Sequence, residues 1–153
     1  MDCRQIQFCA LKDRLDLYQL QELFNLTAFW AQGRSLEDLS VAISNSDPVI
    51  SVWDETKLIG FARATSDGIY RGNIWDVVIH PDYRQLGLGT KLVESILSHP
   101  RLSRVEKVYL MTTHQQHFYQ KIGFSPNETT TMVRENRSNL NQKLLLVQAN
   151  TVS

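Results

Sequence analysis

The chain predicts an α/β (α+β) domain built on a mixed central sheet. Three observations carry that expectation. Strand-like runs dominate the middle of the chain, and amphipathic helical patterns alternate around them. A length of 153 residues, with 42% hydrophobic and 21% charged residues, also suits one soluble core of ordinary size.

The elements follow in order. "QIQFCAL" near the start alternates and predicts a first strand. "RLDLYQLQELFNLTAFW" carries Leu15, Tyr18, Leu20, Leu23, Phe24 and Leu26 at near-helical spacing. "SLEDLSVAIS" predicts a second helix, with Ser35 as its cap and Asp38 three residues on, in the manner of a capping box. "DPVISVWDETKLIGFARATSDG" reads as a hairpin, because β-rich runs flank "DETK" and "SDG" closes the second run. "NIWDVVI" is then a third successive strand. A helix starts near Gly87, shows Leu88, Leu92, Val93, Ile96 and Leu97 on about one face, and is stopped by Pro100. "KVYLMT" predicts a further strand, "QQHFYQKIGF" a short helix and "TTMV" a last strand. No repeat and no linker divides residues 1–133. From Arg134 to Ser153 the chain is a polar tail with a small apolar cluster at 144–147.

Composition excludes several classes of partner. Lys and Arg total 16, as do Asp and Glu, and a net charge of zero argues against broad binding to nucleic acid or a membrane surface. No apolar run approaches the roughly 20 residues that span a bilayer. "MDCRQIQFCALKDR" has neither a signal-peptide core nor a Ser/Arg-rich transit pattern, so the expected location is a bacterial cytoplasm or the plastid stroma of an organelle that makes the protein itself. Cys3 and Cys9 have no further cysteine partner, which predicts buried thiols and neither a disulfide framework nor a metal site.

The most informative stretch is "HPDYRQLGLGTKLVESIL", His80–Leu97. Two glycines, Gly87 and Gly89, precede a helix and follow a strand. Free N–H groups in a helix's first turn, together with its dipole, attract an anion, and a missing Cβ lets a pyrophosphate approach the backbone. The order of residues does not make a P-loop, and a dinucleotide fingerprint would need glycine where Leu92 stands. The pattern that fits runs Arg84-Gln85-Leu86-Gly87-Leu88-Gly89. A tight turn that uses glycine for conformation alone is the competing reading.

"HPDYRQLGLGTKLVESIL", followed about twenty residues later by "HFYQKIGF", resembles the GNAT superfamily of N-acetyltransferases over roughly residues 5–133. "KLIGFARATSDG", "NIWDVVIHPDYRQLGLG" and "FYQKIGF" resemble its plastid and cyanobacterial branch, described as serotonin N-acetyltransferase-like. Plant members of that branch are similar to nuclear-shuttle-interacting acetyltransferases and are implicated in acetylating protein lysines and N-termini. The resemblance implies a mixed, mostly antiparallel sheet flanked by helices, with an acetyl-CoA cleft where central strands splay. It places the coenzyme A pyrophosphate on amides of Arg84, Gln85, Leu86, Gly87, Leu88, Gly89 and Thr90. The pantetheine arm then lies along Val77, Val78 and Ile79 like an extra strand. Simple alternation puts Ile74, Asp76, Val78 and His80 on one face of that strand and Trp75, Val77 and Ile79 on the other.

Acetyl transfer from a thioester to an amine needs a neutral amine, a polarised carbonyl and a proton for the leaving thiolate. By the resemblance, Tyr119 is the general acid at the thioester sulfur; packing of its ring is the alternative. A carboxylate within "NIWDVVI" is costly unless paired or used, so Asp76 is either the base that takes the amine's proton or a structural partner of Arg63 on the next strand. Phe29, Trp30 and Trp75 are candidates for an aromatic acceptor wall, with core packing the alternative for Trp75. His80, His114 and His117 are weaker proton-relay candidates. Many superfamily members carry an asparagine near position 112 that helps hold coenzyme A, where this chain reads "MTTHQQ", leaving Thr112 or Thr113 to replace it in part. The expected function is acetyl transfer to an arylalkylamine such as serotonin. Protein lysines or N-termini are the alternative acceptors, and a non-catalytic acyl-CoA sensor is the second alternative. No metal is expected. The oligomeric state is open, a homodimer included.

Overall fold

The computed structural model describes residues 5–128 and 130–136. The chain divides into two compact units, one running through Gln115 and the other starting at Gln116. Cys3, the apolar cluster at 144–147 and most of the polar tail lie outside the described residues.

The first unit holds a five-stranded sheet: β1 (Ile6–Cys9), β2 (Val49–Asp54), β3 (Lys57–Ser66), β4 (Arg71–Ile79) and β5 (Lys107–Leu110), in that spatial order. The pairs from β1 to β4 are antiparallel, and β4 with β5 is parallel. A parallel pair needs a crossover, and α3 (Leu88–Ser98) supplies it. The other helices of this unit are α1 (Leu17–Thr27) and α2 (Leu36–Ser44). The mixed, mostly antiparallel sheet flanked by helices is the expected architecture.

Local chemistry explains the helix limits. Asp16 caps α1 by accepting from the N–H groups of Tyr18 and Gln19 at 3.0 and 3.3 Å. Ser35 caps α2 as expected, its hydroxyl accepting from the Asp38 N–H at 3.1 Å. Helix α3 begins after Gly87, whose φ is +76°, and ends one residue before His99-Pro100.

One core lies between α1, α2 and the sheet, where Leu20, Leu23, Phe24, Leu39, Ile43, Val49, Phe61 and Val78 are buried together. The opposite sheet face takes α3 through buried Leu88, Leu92, Val93 and Ile96. Tyr18 and Leu26, included in the helical pattern of α1, point outward and are exposed. The apolar stripe of α1 is therefore narrower than the spacing predicts.

The second unit contains α4 (Gln116–Gln120), which is shorter than the expected helix. Gly123 at φ +103° breaks the pattern, and the Phe124 N–H turns back to the Tyr119 carbonyl at 3.1 Å. The expected strand "TTMV" does not form: Thr130–Val133 has no strand, and Met132 and Val133 are almost fully exposed. Two adjacent apolar residues without a ladder partner have no face to bury.

Candidate active site

Strand β4 builds the centre of the site. Its pairing with β5 ends at Ile74–Leu110, yet β4 runs on to Ile79. On its other edge, the His80 N–H donates to the Ile59 carbonyl at 2.7 Å. Alternation along an antiparallel strand then turns the N–H and C=O of Ile79, and of Val77, toward the edge that β5 has left. An extended, amide-bearing ligand can add to that edge as a strand would.

The strand is not regular. Gly60 opposes Ile79 and Phe61 opposes Val78, but Arg63 opposes Trp75. Two residues, Asp76 and Val77, thus face one, Ala62, which makes a β-bulge. Asp76 carries the kink with φ +56°, a left-handed conformation that Asp and Asn tolerate better than other side chains. This corrects the predicted faces. Trp75 lies beneath Arg63, whose guanidinium carbon is 5.8 Å from the ring centroid, on the same side of the sheet as Val78. An extra residue shifts the period of two by one step.

The Asp76 side chain is only 5% exposed. Its Oδ2 accepts from Arg63 Nε at 2.8 Å and Arg34 Nη1 at 2.9 Å, and its Oδ1 accepts from Trp30 Nε1 at 3.1 Å. Burial pushes the carboxyl pKa up, but the Arg34 hydrogen bond and the Arg63 charge outweigh it and hold it below the usual carboxylate value. Of these partners, Arg63 is the one the neighbouring strand predicts. Arg34 and Trp30 come from the segment between α1 and α2, 42 and 46 residues away, and no local pattern points to them. A signal for the bulge was present: a carboxylate in an apolar strand is a residue type that accepts left-handed backbone.

Trp30 and Phe29 stand in a 3-10 turn, Phe29–Ala31, with ring centroids 5.1 Å apart and edge to face. Both are exposed, Phe29 by 68% and Trp30 by 48%. The Trp75 Nε1–H donates to Thr65 Oγ1 at 2.8 Å. Thr65 in turn lines an open recess of ≈ 320 Å³ with Asn73, Arg71 and Tyr109. Phe29, Trp30 and Trp75 are therefore tied to one another through the Asp76 cluster, and all three have hydrogen-bonding or open surroundings.

The glycine stretch follows β4 directly. A 3-10 turn, Pro81–Tyr83, is capped by His80, whose Nδ1 accepts from the Asp82 N–H at 3.1 Å. Burial, then the Lys57 charge, lowers the His80 pKa, so the ring is neutral near pH 7. The Tyr83 hydroxyl donates to Asp54 and anchors the turn to the β2–β3 hairpin. Gln85 and Gly87 are both left-handed, with φ of +64° and +76°, on either side of Leu86. The first intrahelical donor is the N–H of Lys91, bound to the Gly87 carbonyl at 3.2 Å. The amides of Leu88, Gly89 and Thr90 precede it and have no intrahelical acceptor. Leu88 buries its side chain, while Arg84, Gln85, Leu86 and Gly87 are exposed. A Cβ on Gly87 would enter open space, so packing does not require glycine there; its conformation does. The Arg84 N–H is used within the turn, donating to the Pro81 carbonyl at 3.4 Å, and the first-turn amides of Leu88, Gly89 and Thr90 are backbone donors suited to an anion.

In the second unit, Tyr119 lies edge to face with Phe118 at 5.0 Å and with Phe124 at 5.8 Å. Burial pushes its phenol pKa up to about 12, so the proton stays on at any physiological pH. Thr112 accepts from the Gln115 N–H at 3.1 Å. Cys9 is a free thiol on β1. Among the described residues no group of three or more metal-ligating side chains gathers, and no helix is long and apolar enough to cross a membrane.

Residues 17–124 match the model of the acetyltransferase (GNAT) family. The chain belongs to that family. As a GNAT acetyltransferase it is 34% identical over 131 residues to an uncharacterized N-acetyltransferase ycf52 from Pyropia yezoensis, covering 80% of this chain and 74% of that one. It is 33% identical over 132 residues to a Glycine max protein named histone acetyltransferase TAP1, covering 78% of this chain and 56% of the soybean protein. A solved structure of a putative GNAT acetyltransferase from Xanthomonas campestris superposes with a TM-score of 0.77 at 24% identity, covering 86% of this chain and 93% of that one. GNAT acetyltransferases use acetyl-CoA, and the β4 edge left unpaired beyond Ile74 and the first-turn amides of α3 are chemically suited to its pantetheine amides and its pyrophosphate.

Proposed function

We propose that this N-acetyltransferase moves the acetyl group of acetyl-CoA directly to the primary amine of an arylalkylamine such as serotonin, in the cytoplasm or plastid stroma. The observation that carries the acceptor is the exposed Phe29–Trp30 pair, joined through Asp76 to the bulge of β4 with Trp75 beside it. Offset or edge-on contacts with an indole or phenol ring suit such a wall.

In this reading the pyrophosphate rests on the amides of Arg84–Thr90 and the pantetheine pairs with Val77, Val78 and Ile79. A β4 amide facing the splayed edge polarises the thioester carbonyl. The amine nitrogen attacks that carbon, the tetrahedral oxyanion collapses, the C–S bond breaks, and the thiolate leaves with the bonding electrons. Following the resemblance, Tyr119 gives its phenol proton to sulfur and is reprotonated from water. The amine's own proton goes to water, because Asp76 has all its near donors in place and is a poor proton acceptor.

A second reading has a protein lysine or N-terminus as acceptor. It is favoured by the likeness to the soybean protein whose name is histone acetyltransferase. One turnover assay decides between them: purified protein with acetyl-CoA, an arylalkylamine panel beside a lysine and N-terminal peptide library, and free thiol as the readout. Arylalkylamines are expected to show the higher kcat/KM. Peptides outrunning them would transfer the site to protein acceptors. Acetyl-CoA binding without turnover of any amine would leave an acyl-CoA sensor.

A further inference from the structure

We infer that Asp76 is a positioning residue, a latch that fastens the Phe29–Arg34 segment to the bulge of β4 and so sets where the aromatic acceptor wall stands relative to the reacting backbone. The inference rests on the proposed acceptor reading of that wall and adds to it the part that fixes its position.

The geometry separates a latch from a base. The carboxylate receives three donors from three places in the fold: Trp30 in the 3-10 turn, Arg34 just before α2, and Arg63 on β3. With 5% exposure, little of its surface is left for an incoming ammonium. The backbone that bears it is the left-handed residue of the bulge, so the same residue shapes the strand and holds the loop.

The three partners are not equally fixed. Arg63 also donates to Ser46 Oγ at 3.1 Å, stacks on Trp75, and is 17% exposed. The Arg34 side chain is 33% exposed, and its other side-chain contact is a stacking one, 5.4 Å from the Phe24 ring centroid, while its backbone carbonyl accepts from Gln21 Nε2 at 2.9 Å. If the carboxylate charge is lost, Arg63 stays where its remaining contacts keep it. The Arg34 guanidinium has water to turn to and the Trp30 indole loses its charged acceptor, while Gln21, Gln32 and Asn25 keep the backbone of the segment on α1. The latch therefore opens at its side chains, freeing the exposed Trp30 ring to shift while the backbone beneath it stays in place.

The test uses the full chain and three substitutions. Asp76→Asn keeps a residue that tolerates left-handed backbone and one acceptor oxygen, but removes the charge. Asp76→Gly keeps the backbone and removes every contact. Arg34→Met removes one strap and leaves Asp76 untouched. The Trp30 indole N–H resonance, assigned with Trp30→Phe, reports the latch by NMR without any turnover. Acetyl-CoA affinity is read by calorimetry, and kcat, KM and the pH–rate profile with the best amine.

All three variants are expected to move the Trp30 resonance and to raise the acceptor KM at least fivefold. Acetyl-CoA affinity and the shape of the pH–rate profile should stay those of the parent. Arg34→Met combined with Asp76→Asn should be no worse than the poorer single variant, because both act through one contact. A Trp30 resonance unmoved in Arg34→Met and Asp76→Asn overturns the latch. So does an Asp76→Gly variant with the parent's KM. Loss of the acidic limb of the profile in Asp76→Asn, with Arg34→Met kinetically normal, overturns it in favour of a general base. Should Asp76→Gly fail to fold, Arg34→Met still decides by the same two readouts. If the parent turns over no amine, the acceptor reading fails, while the Trp30 resonance tests the latch on its own.

Discussion

A phenol whose pKa stands at about 12 is a reluctant acid, and Tyr119 is such a phenol. Against an ordinary thiol near 8.5, transfer of its proton would run uphill by about 3.5 pKa units, or roughly 5 kcal/mol. Exclusion of water that raises one pKa raises the other, so the two shifts offset in part inside a closed site. The expected result for Tyr119→Phe is a fall in kcat of about tenfold to a hundredfold, no more than the bottom of the range for acid–base help. Acetyl-CoA affinity by calorimetry should be unchanged, as should the contacts of the ring with Phe118 and Phe124, which need no hydroxyl. Parent-level turnover, with chemistry shown to be the slow step, would make the ring a packing element only. The same scale shows what single residues disclosed. Asp76 stood out in the sequence because a carboxylate in an apolar strand needs a reason, and Arg63 was a legible partner because it lies on the next strand. Arg34 and Trp30 were not legible. Their contacts join positions more than forty residues apart, and loop residues leave no periodicity to read.

Elements with a strong local signal are legible in the chain. Alternation marks β1, β-rich runs on either side of "DETK" mark β2 and β3, a serine three residues before an acidic side chain marks the start of α2, and glycine followed by apolar residues at helical spacing marks α3. The bulge in β4 escaped because alternation assumes one residue per step on each strand, and one extra residue moves Trp75 to the side of Val78. At the start of α3 the two glycines have different reasons, which separates two substitutions. Gly87 is left-handed and faces open space, whereas Gly89 lies within the helix's first turn. Gly87→Asn keeps a left-handed-tolerant residue and should retain acetyl-CoA affinity within a few fold. Gly89→Val adds a branched side chain among the donor amides, and valine is no worse than glycine in a helix. It should weaken acetyl-CoA binding by tenfold or more, about 1.4 kcal/mol, while thermal stability holds. Calorimetry and a melting curve on each variant check both. Equal affinity for Gly89→Val and the parent would leave the turn with a conformational role and no pyrophosphate.

The architecture of the first unit follows from a few pairings: an antiparallel order from β1 to β4, then a helical crossover that sets β5 parallel to Arg71–Ile74 and leaves the rest of β4 without a strand on that edge. Its stability should carry the marks of two groups that the fold holds in one protonation state. His80 is kept neutral by burial and by the Lys57 charge, so its folded pKa lies below 6.5. An unfolded chain then binds the proton more readily, and stability present above about pH 6.5 is lost as the pH falls toward the folded value. Asp76 is kept ionised by Arg34 and Arg63 in spite of burial, so its folded pKa lies below 3.8. Stability from that carboxylate is whole above about pH 4 and drains away as the pH drops through the folded value. Asp67, whose carboxyl accepts from the Ile69, Tyr70 and Arg71 N–H groups and is also lowered, titrates in the same acid window, but it is fully exposed. Urea unfolding from pH 8 to pH 3 should therefore show two separate declines, one beginning near 6.5 and one near 4. His80→Asn preserves an acceptor for the Asp82 N–H and removes the titrating ring, so the upper decline should flatten while the lower one remains. Asp76→Asn should lower stability at pH 7, and its curve should converge on the parent's at the acid end, where the parent's carboxylate is being protonated. Curves for Asp76→Asn and the parent that run parallel through the whole range would mean that the carboxylate titrates alike in the folded and unfolded chain, and that the two arginines do not hold its charge.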